Sequence, residues 1–142
     1  MPALPPNAAA LVRTWFGADD AWRALVEEVQ TPSEDGFLAS IAPIDEPAWE
    51  GLDVDGLKAA KPGQFVSFLA DERTLTEADH PILAVWVYQP DEDEEEDDLP
   101  DHQPFRVTPS ALWSVENNIN LMNMDWLDFA GAVDEDGVFR GF

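Results

Sequence analysis

Two stretches, QFVSFLA (64–70) and ILAVWVY (82–88), restrict this chain more than any other feature. Each is a nearly continuous apolar run rich in Val, Phe and Ile, too short to span a bilayer and without the 3.6-residue spacing of a surface helix. A strand with one wet face alternates apolar and polar residues, and these runs barely do. They therefore suit strands covered on both faces, at the centre of a sheet with helices on either side.

The remaining segments fit around such a sheet. LVRTWF (11–16) reads as a strand closed by Gly17, and residues 1–10, rich in Pro and Ala, read as a frayed N-terminus. From Asp19 to Gln30, Trp22, Leu25, Val26 and Val29 fall on one helical face, with Asp19 and Asp20 at the end the helix dipole favours. FLASIAPI (37–44) alternates as a half-buried strand, and residues 53–60 hold at most one short helix. Thr76, with Asp79 three residues on, is placed as the cap of a single turn. FRV (105–107) is a strand, and Thr108-Pro109 starts a helix. The next residues satisfy both periods, and the reading adopted is a helix to Asn117 followed by a strand over 118–122. Asp125 caps a last helix that presents Trp126, Phe129, Ala130 and Val133 on one face. Alternating strands and helices predict an α/β (or α+β) single domain over 11–142, one mixed β-sheet flanked by helices, with an acidic loop insertion at about 91–104.

Charge narrows the partners. Nine carboxylates fall between Asp91 and Asp101, and the whole chain carries 30 acidic against 7 basic residues, a net −23. Without the nine, 21 acids still oppose 7 bases, leaving −14, so the acidity is general. A field of this sign repels phosphate backbones and anionic bilayers, and it favours capture of a basic protein. Hydrophobic residues at 45%, with six Trp and eight Phe, argue that the chain folds despite its charge. With no Cys there is no disulfide, thiolate nucleophile or Cys-ligated metal. The N-terminal residues lack the pattern of a signal peptide and no apolar run approaches a membrane span, so the expected location is cytoplasmic.

Several blocks are familiar together: LVRTWFGADDAW, DGFLASIAPIDEPAW, ADERTLTEADHPIL, LWSVENNINLMNMDWLDFA and the terminal GVFRGF. They resemble a family of actinobacterial proteins defined as a domain of unknown function, and the likeness runs from Leu11 to Phe142. The resemblance implies a single domain in which residues 91–104 are an insertion, and it brings no activity with it.

Candidate sites are few. A Ca²⁺ loop needs spaced oxygen ligands and a turn-forming Gly, and the acidic run has neither Gly nor Asn, so it reads as a solvated connection. DVDG (53–56) and DEDG (134–137) imitate part of an EF-hand, yet Gly51 and Ala132 stand where the leading Asp belongs. Serine-hydrolase, phosphate-loop and zinc-protease motifs are missing. His80 precedes a proline at a strand entrance, and His102 sits in the acidic link. No catalytic, cofactor-binding or metal-ligating residue is assigned and no cofactor is implied.

The polar set Asn117, Asn118, Asn120 and Asn123 interrupts an apolar segment, where capping duties are the favoured role and presentation of amides on a surface the other. Arg13, Arg106 and Arg140 border apolar stretches and are expected to anchor carboxylate clusters. Trp113, Asn117, Asn118, Asn120, Asn123, Arg106 and Arg140 form the candidate interaction surface. The leading expectation is a non-enzymatic acidic interaction protein with a basic protein partner: an immunity- or antitoxin-like inhibitor, or a regulatory adaptor. A DNA mimic is one alternative. A small-molecule binder or enzyme with its site near the Trp- and Asn-rich C-terminal third is the other. Direct nucleic-acid binding and membrane association are not expected, and the oligomeric state stays open.

Overall fold

The two apolar runs lie at the centre of the sheet. The computed structural model describes residues 8–34, 36–60, 65–88 and 103–141. Its strands are Ala9–Arg13 (β1), Ile41–Ile44 (β2), Val66–Ala70 (β3), Ile82–Trp86 (β4), Phe105–Val107 (β5) and Val138–Phe139 (β6). They form one six-stranded sheet in the order β2-β1-β3-β4-β5-β6. Only the pairings of β4, with β3 and with β5, are antiparallel. Five strands therefore point one way and β4 returns, which makes this a mixed-sheet α/β protein.

Strand alternation divides the core in two. Leu11, Phe68, Ala84, Phe105 and Phe139 face one side. There they meet the helices Asp19–Val29 (α1), Leu112–Asn120 (α4) and Trp126–Ala130 (α5) through Leu25, Val115, Ile119, Trp126 and Phe129. Ala10, Val12, Leu69 and Val85 face the other side. It is covered by a 3-10 turn, Pro47–Trp49, and by the short helix Val54–Ala59 (α2) through Trp49 and Leu57. Residues of β1 and β3 are thus buried on both faces, as their sequence demands. Because α1 leads from β1 to β2 on one face and α2 leads from β2 to β3 on the other, β1 lies between the strands it precedes.

Local chemistry explains most boundaries. Trp22, Leu25 and Val29 bury one face of α1, with Val26 at its margin. Asp53 caps α2 by accepting the Gly56 N–H at 2.8 Å, so DVDG is a loop-to-helix cap. In DEDG the chain turns, with the Gly137 N–H on the Asp134 carbonyl and the Asp134 N–H on that of Val138. Gly137 holds φ +79, a left-handed conformation that costs a side-chain-bearing residue energy. The turn delivers Val138 and Phe139 to β5.

Four expectations are corrected. β1 begins at Ala9 and ends at Arg13, earlier than 11–16, because Ala9 and Ala10 are fully buried between β2 and β3. Only residues 41–44 of the 37–44 stretch are strand; Phe37 and Leu38 are exposed in the connection before it. Thr76 ends a helix rather than starting one: Glu72–Thr76 (α3) is capped by Asp71, whose carboxylate accepts the Thr74 N–H while Thr74 Oγ1 binds back. Residues 118–120 continue α4 and no strand follows over 118–122, since the Asn117 and Asn118 amides donate to the carbonyls of Trp113 and Ser114 one turn back. The readings of residues 1–7, His102 and the acidic run 91–101 fall outside the described residues.

Candidate functional site

The described basic groups are engaged within the chain. At the end of β1, the Arg13 guanidinium is 4% exposed and reaches Asp19 at 2.6 Å and Asp45 at 3.2 Å. It also donates to the Trp15 carbonyl and lies 4.4 Å from the Phe16 ring centroid. Arg106, on β5, holds Asp71 through both guanidinium nitrogens at 3.0 and 2.8 Å and donates to the Pro81 carbonyl. Burial pushes the Asp71 carboxyl up, but the Arg106 hydrogen bonds and the Thr74 N–H outweigh it and leave it below its usual 3.8. Arg140 follows β6 and gathers Asp79, Asp134 and Asp136 at 2.7 to 3.0 Å. Arg23 pairs with Asp20, and Arg73 with Glu77 at 2.6 Å. All five arginines of the chain are so paired, as expected for Arg13, Arg106 and Arg140.

These pairs gather where five strands finish and β4 starts. His80 is there too, at φ +46, with Nδ1 2.9 Å from the Thr74 carbonyl. That contact places the ring proton on Nδ1. His80 is a turn residue, as read.

The opposite end is built from amides. Glu116, 4% exposed on α4, accepts the Ser40 N–H at 3.1 Å and the Asn120 amide at 3.3 Å. Asn120 Oδ1 in turn accepts the N–H groups of Phe65 and Val66 at 2.9 and 3.0 Å. One Glu–Asn relay thus satisfies the backbone entering β2 and β3. Burial raises the Glu116 carboxyl above its usual 4.5, against the two hydrogen bonds. Asn117 donates to the Leu38 carbonyl at 3.1 Å, clamping the segment before β2. Asn118 receives the N–H groups of Asn123 and Met124 on its carbonyl, and Met122 takes φ +59 in that turn. Asn123 is exposed beside it.

A cleft of about 490 Å³ opens beside this network, between the exit of α1 and the start of α4. Its walls include Val29, Pro32, Pro109 and Trp113, with Glu28 and Glu34 contributing carboxylates and no basic residue among the described ones that line it. Phe37 stacks on the Trp113 ring at 4.7 Å and 10°. Exposed Phe37, Leu38, Leu121 and Met122 continue the apolar character along this side of the molecule.

The sequence-chosen set therefore divides: Trp113 and the Asn residues stand on or just beyond α4, while Arg106 and Arg140 belong to the ion-paired end. Glu28, Glu34 and Phe37 were not singled out from sequence. Nothing local marks them, since the cleft joins segments about 80 residues apart. A second hollow of about 410 Å³ surrounds Arg13, Phe16 and Asp45. Both signs of charge line it, and its two cations, Arg13 and Arg23, are already paired. Among the described residues no group of three or more His, Cys, Asp or Glu is arranged to hold a metal ion, and no helix is long and apolar enough to cross a membrane.

Fold and cleft together describe a single mixed-sheet α/β protein with an acidic, aromatic-walled surface opening. The chain belongs to the family described as a domain of unknown function, DUF6924, whose model matches residues 8–142. No curated protein and no solved structure matches it.

Proposed function

We propose that this is a non-enzymatic acidic interaction protein of the cytoplasm that binds a basic protein partner, as an immunity- or antitoxin-like inhibitor or as a regulatory adaptor. One observation carries the reading: all five arginines are held by the chain's own carboxylates. With 30 acidic residues against 7 basic ones, most carboxylates are not taken up by these pairs. Such a surface steers and binds a cationic face and repels nucleic acid. The α4 end offers apolar groups to go with the charge, and association needs both: charge for capture and buried aromatics for affinity.

Immobilised protein should capture basic proteins from a native lysate at low salt and release them by about 0.5 M NaCl, where screening acts within a few ångströms. Neutralising the nine carboxylates of 91–101 should leave capture in place. Loss of capture on that change would favour the DNA-mimic reading, in which the run imitates phosphate spacing. Failure to capture any protein at any salt would transfer the lead to a small-molecule site or an enzyme.

A further inference from the structure

We infer that the cleft between α1 and α4 is a receptor for an arginine side chain of the partner; this rests on the reading of a basic protein partner and names its point of attachment. The argument begins with what the walls can offer. Val29, Pro32 and Pro109 supply apolar surface for a methylene stem, and Trp113 supplies an aromatic ring. Glu28 and Glu34 supply acceptors, and among the described residues no Lys, Arg or His lines the cleft to neutralise them. A volume of about 490 Å³ lies within the range of ligand clefts and exceeds what one side chain fills, so the residues flanking the arginine also have room.

Guanidinium fits this chemistry better than ammonium. It is planar, weakly hydrated and able to lie on an aromatic ring while its edge donates to carboxylates. Phe37, stacked on Trp113, keeps the indole from turning away. The Ser33 hydroxyl, which accepts the Phe37 N–H at 3.0 Å, ties that ring to the turn leaving α1. The Asn117 amide holds the Leu38 carbonyl in the same segment, so the wall is fixed before a ligand arrives. An anionic ligand would meet two carboxylates, and a neutral one would leave them uncompensated. The charge of the lining thus selects the sign of the guest.

The probes are N-acetyl-arginine methylamide and its citrulline counterpart, which keeps the shape and loses the charge. Each is titrated into the full chain and followed by ¹H–¹⁵N NMR, with the Trp113 indole signal assigned through Trp113→Phe. The arginine probe should produce a saturable shift of that signal at millimolar concentration, about tenfold tighter than citrulline, a 1.4 kcal/mol difference. Glu28→Gln with Glu34→Gln should weaken the arginine probe about tenfold while leaving citrulline unchanged. Both glutamates are exposed, so the double variant keeps its fold, which an unchanged melting curve verifies. Equal binding of the two probes, no saturable shift, or shifts confined to the Arg13 hollow would overturn the proposal. Lysate capture that survives the double variant would reject this cleft and spare the partner reading. Probe binding without any captured protein would do the reverse.

Discussion

The two ends of the sheet solve one problem by different means. Where β1, β2 and β3 finish, charged side chains close the structure: Arg13 with Asp19 and Asp45, and Arg106 with Asp71. Where β2 and β3 begin, the same duty falls to Glu116 and two asparagines, Asn117 and Asn120, which serve backbone N–H and C=O groups there. Ion pairs at a wet edge are screened and individually weak. Amide bonds to buried backbone are costly to remove, because the orphaned donor has no water to turn to. The charged end consumes the arginines of a very acidic chain, whereas the amide end leaves carboxylates and aromatics unneutralised beside a cleft. Binding is therefore expected at the end that uses no cation for its own construction.

Variants that break the two ends should differ in size. Trp126→Ala or Phe129→Ala, beneath both, sets the scale: each ring is at most 1% exposed, and its loss should cost about 3–5 kcal/mol in denaturant unfolding. Next, Asn120→Ala strands the N–H groups of Phe65 and Val66 and an amide partner of Glu116, for about 2–3 kcal/mol. Arg106→Ala leaves Asp71 unpaired, but that carboxylate is 31% exposed, so about 1–2 kcal/mol is expected after screening. If Arg106→Ala proves the more damaging of the two, the contrast between the ends is wrong.

How much of this contrast was legible in the sequence depends on the distance over which each feature is encoded. The runs at 64–70 and 82–88 carry burial on both faces within seven residues, so the central strands could be read directly. The helix at Asp19–Val29 and the core role of Trp126 and Phe129 likewise follow from spacing alone. Asn120 reads as a break because its period does not reveal that its acceptor serves β3, more than fifty residues earlier. A two-residue strand such as Val138–Phe139 exists only through pairing with β5, and two residues carry no period. The arginines could be expected to hold carboxylates, since acids so outnumber them, but which acids had to come from the fold. The cleft was least legible, because Trp113 alone among its principal walls stood out as a site residue.

Acid should separate the ends in opposite directions. The folded Glu116 carboxyl titrates above its usual 4.5, so the native state holds that proton more tightly and stability from this group falls as pH rises through the raised value. Relative to wild type, Glu116→Gln should gain melting temperature as pH increases from about 4 to 7. Asp71 titrates below 3.8, so its contribution is present above that value and is lost as pH falls. The deficit of Asp71→Asn should therefore be full at neutral pH and close in acid. Parallel profiles would show that both carboxylates are governed by the overall charge.

A smaller effect is expected on the face covered by α2. The Trp49 Nε1–H is buried with no hydrogen-bond partner among the described residues. Trp49→Phe removes an unsatisfied donor along with some packing, so the two terms should cancel to within about 1 kcal/mol by calorimetry.

The central claim, that the ion-paired end is structural and the amide end binds, is tested most directly by hydrogen–deuterium exchange with and without a short arginine-rich peptide at low salt. Protection should appear over residues 28–39 and 109–117, around the cleft, and be absent over 134–140, where Arg140 gathers its carboxylates. Protection centred on 134–140 or on 13–23, with the cleft unchanged, would contradict the account.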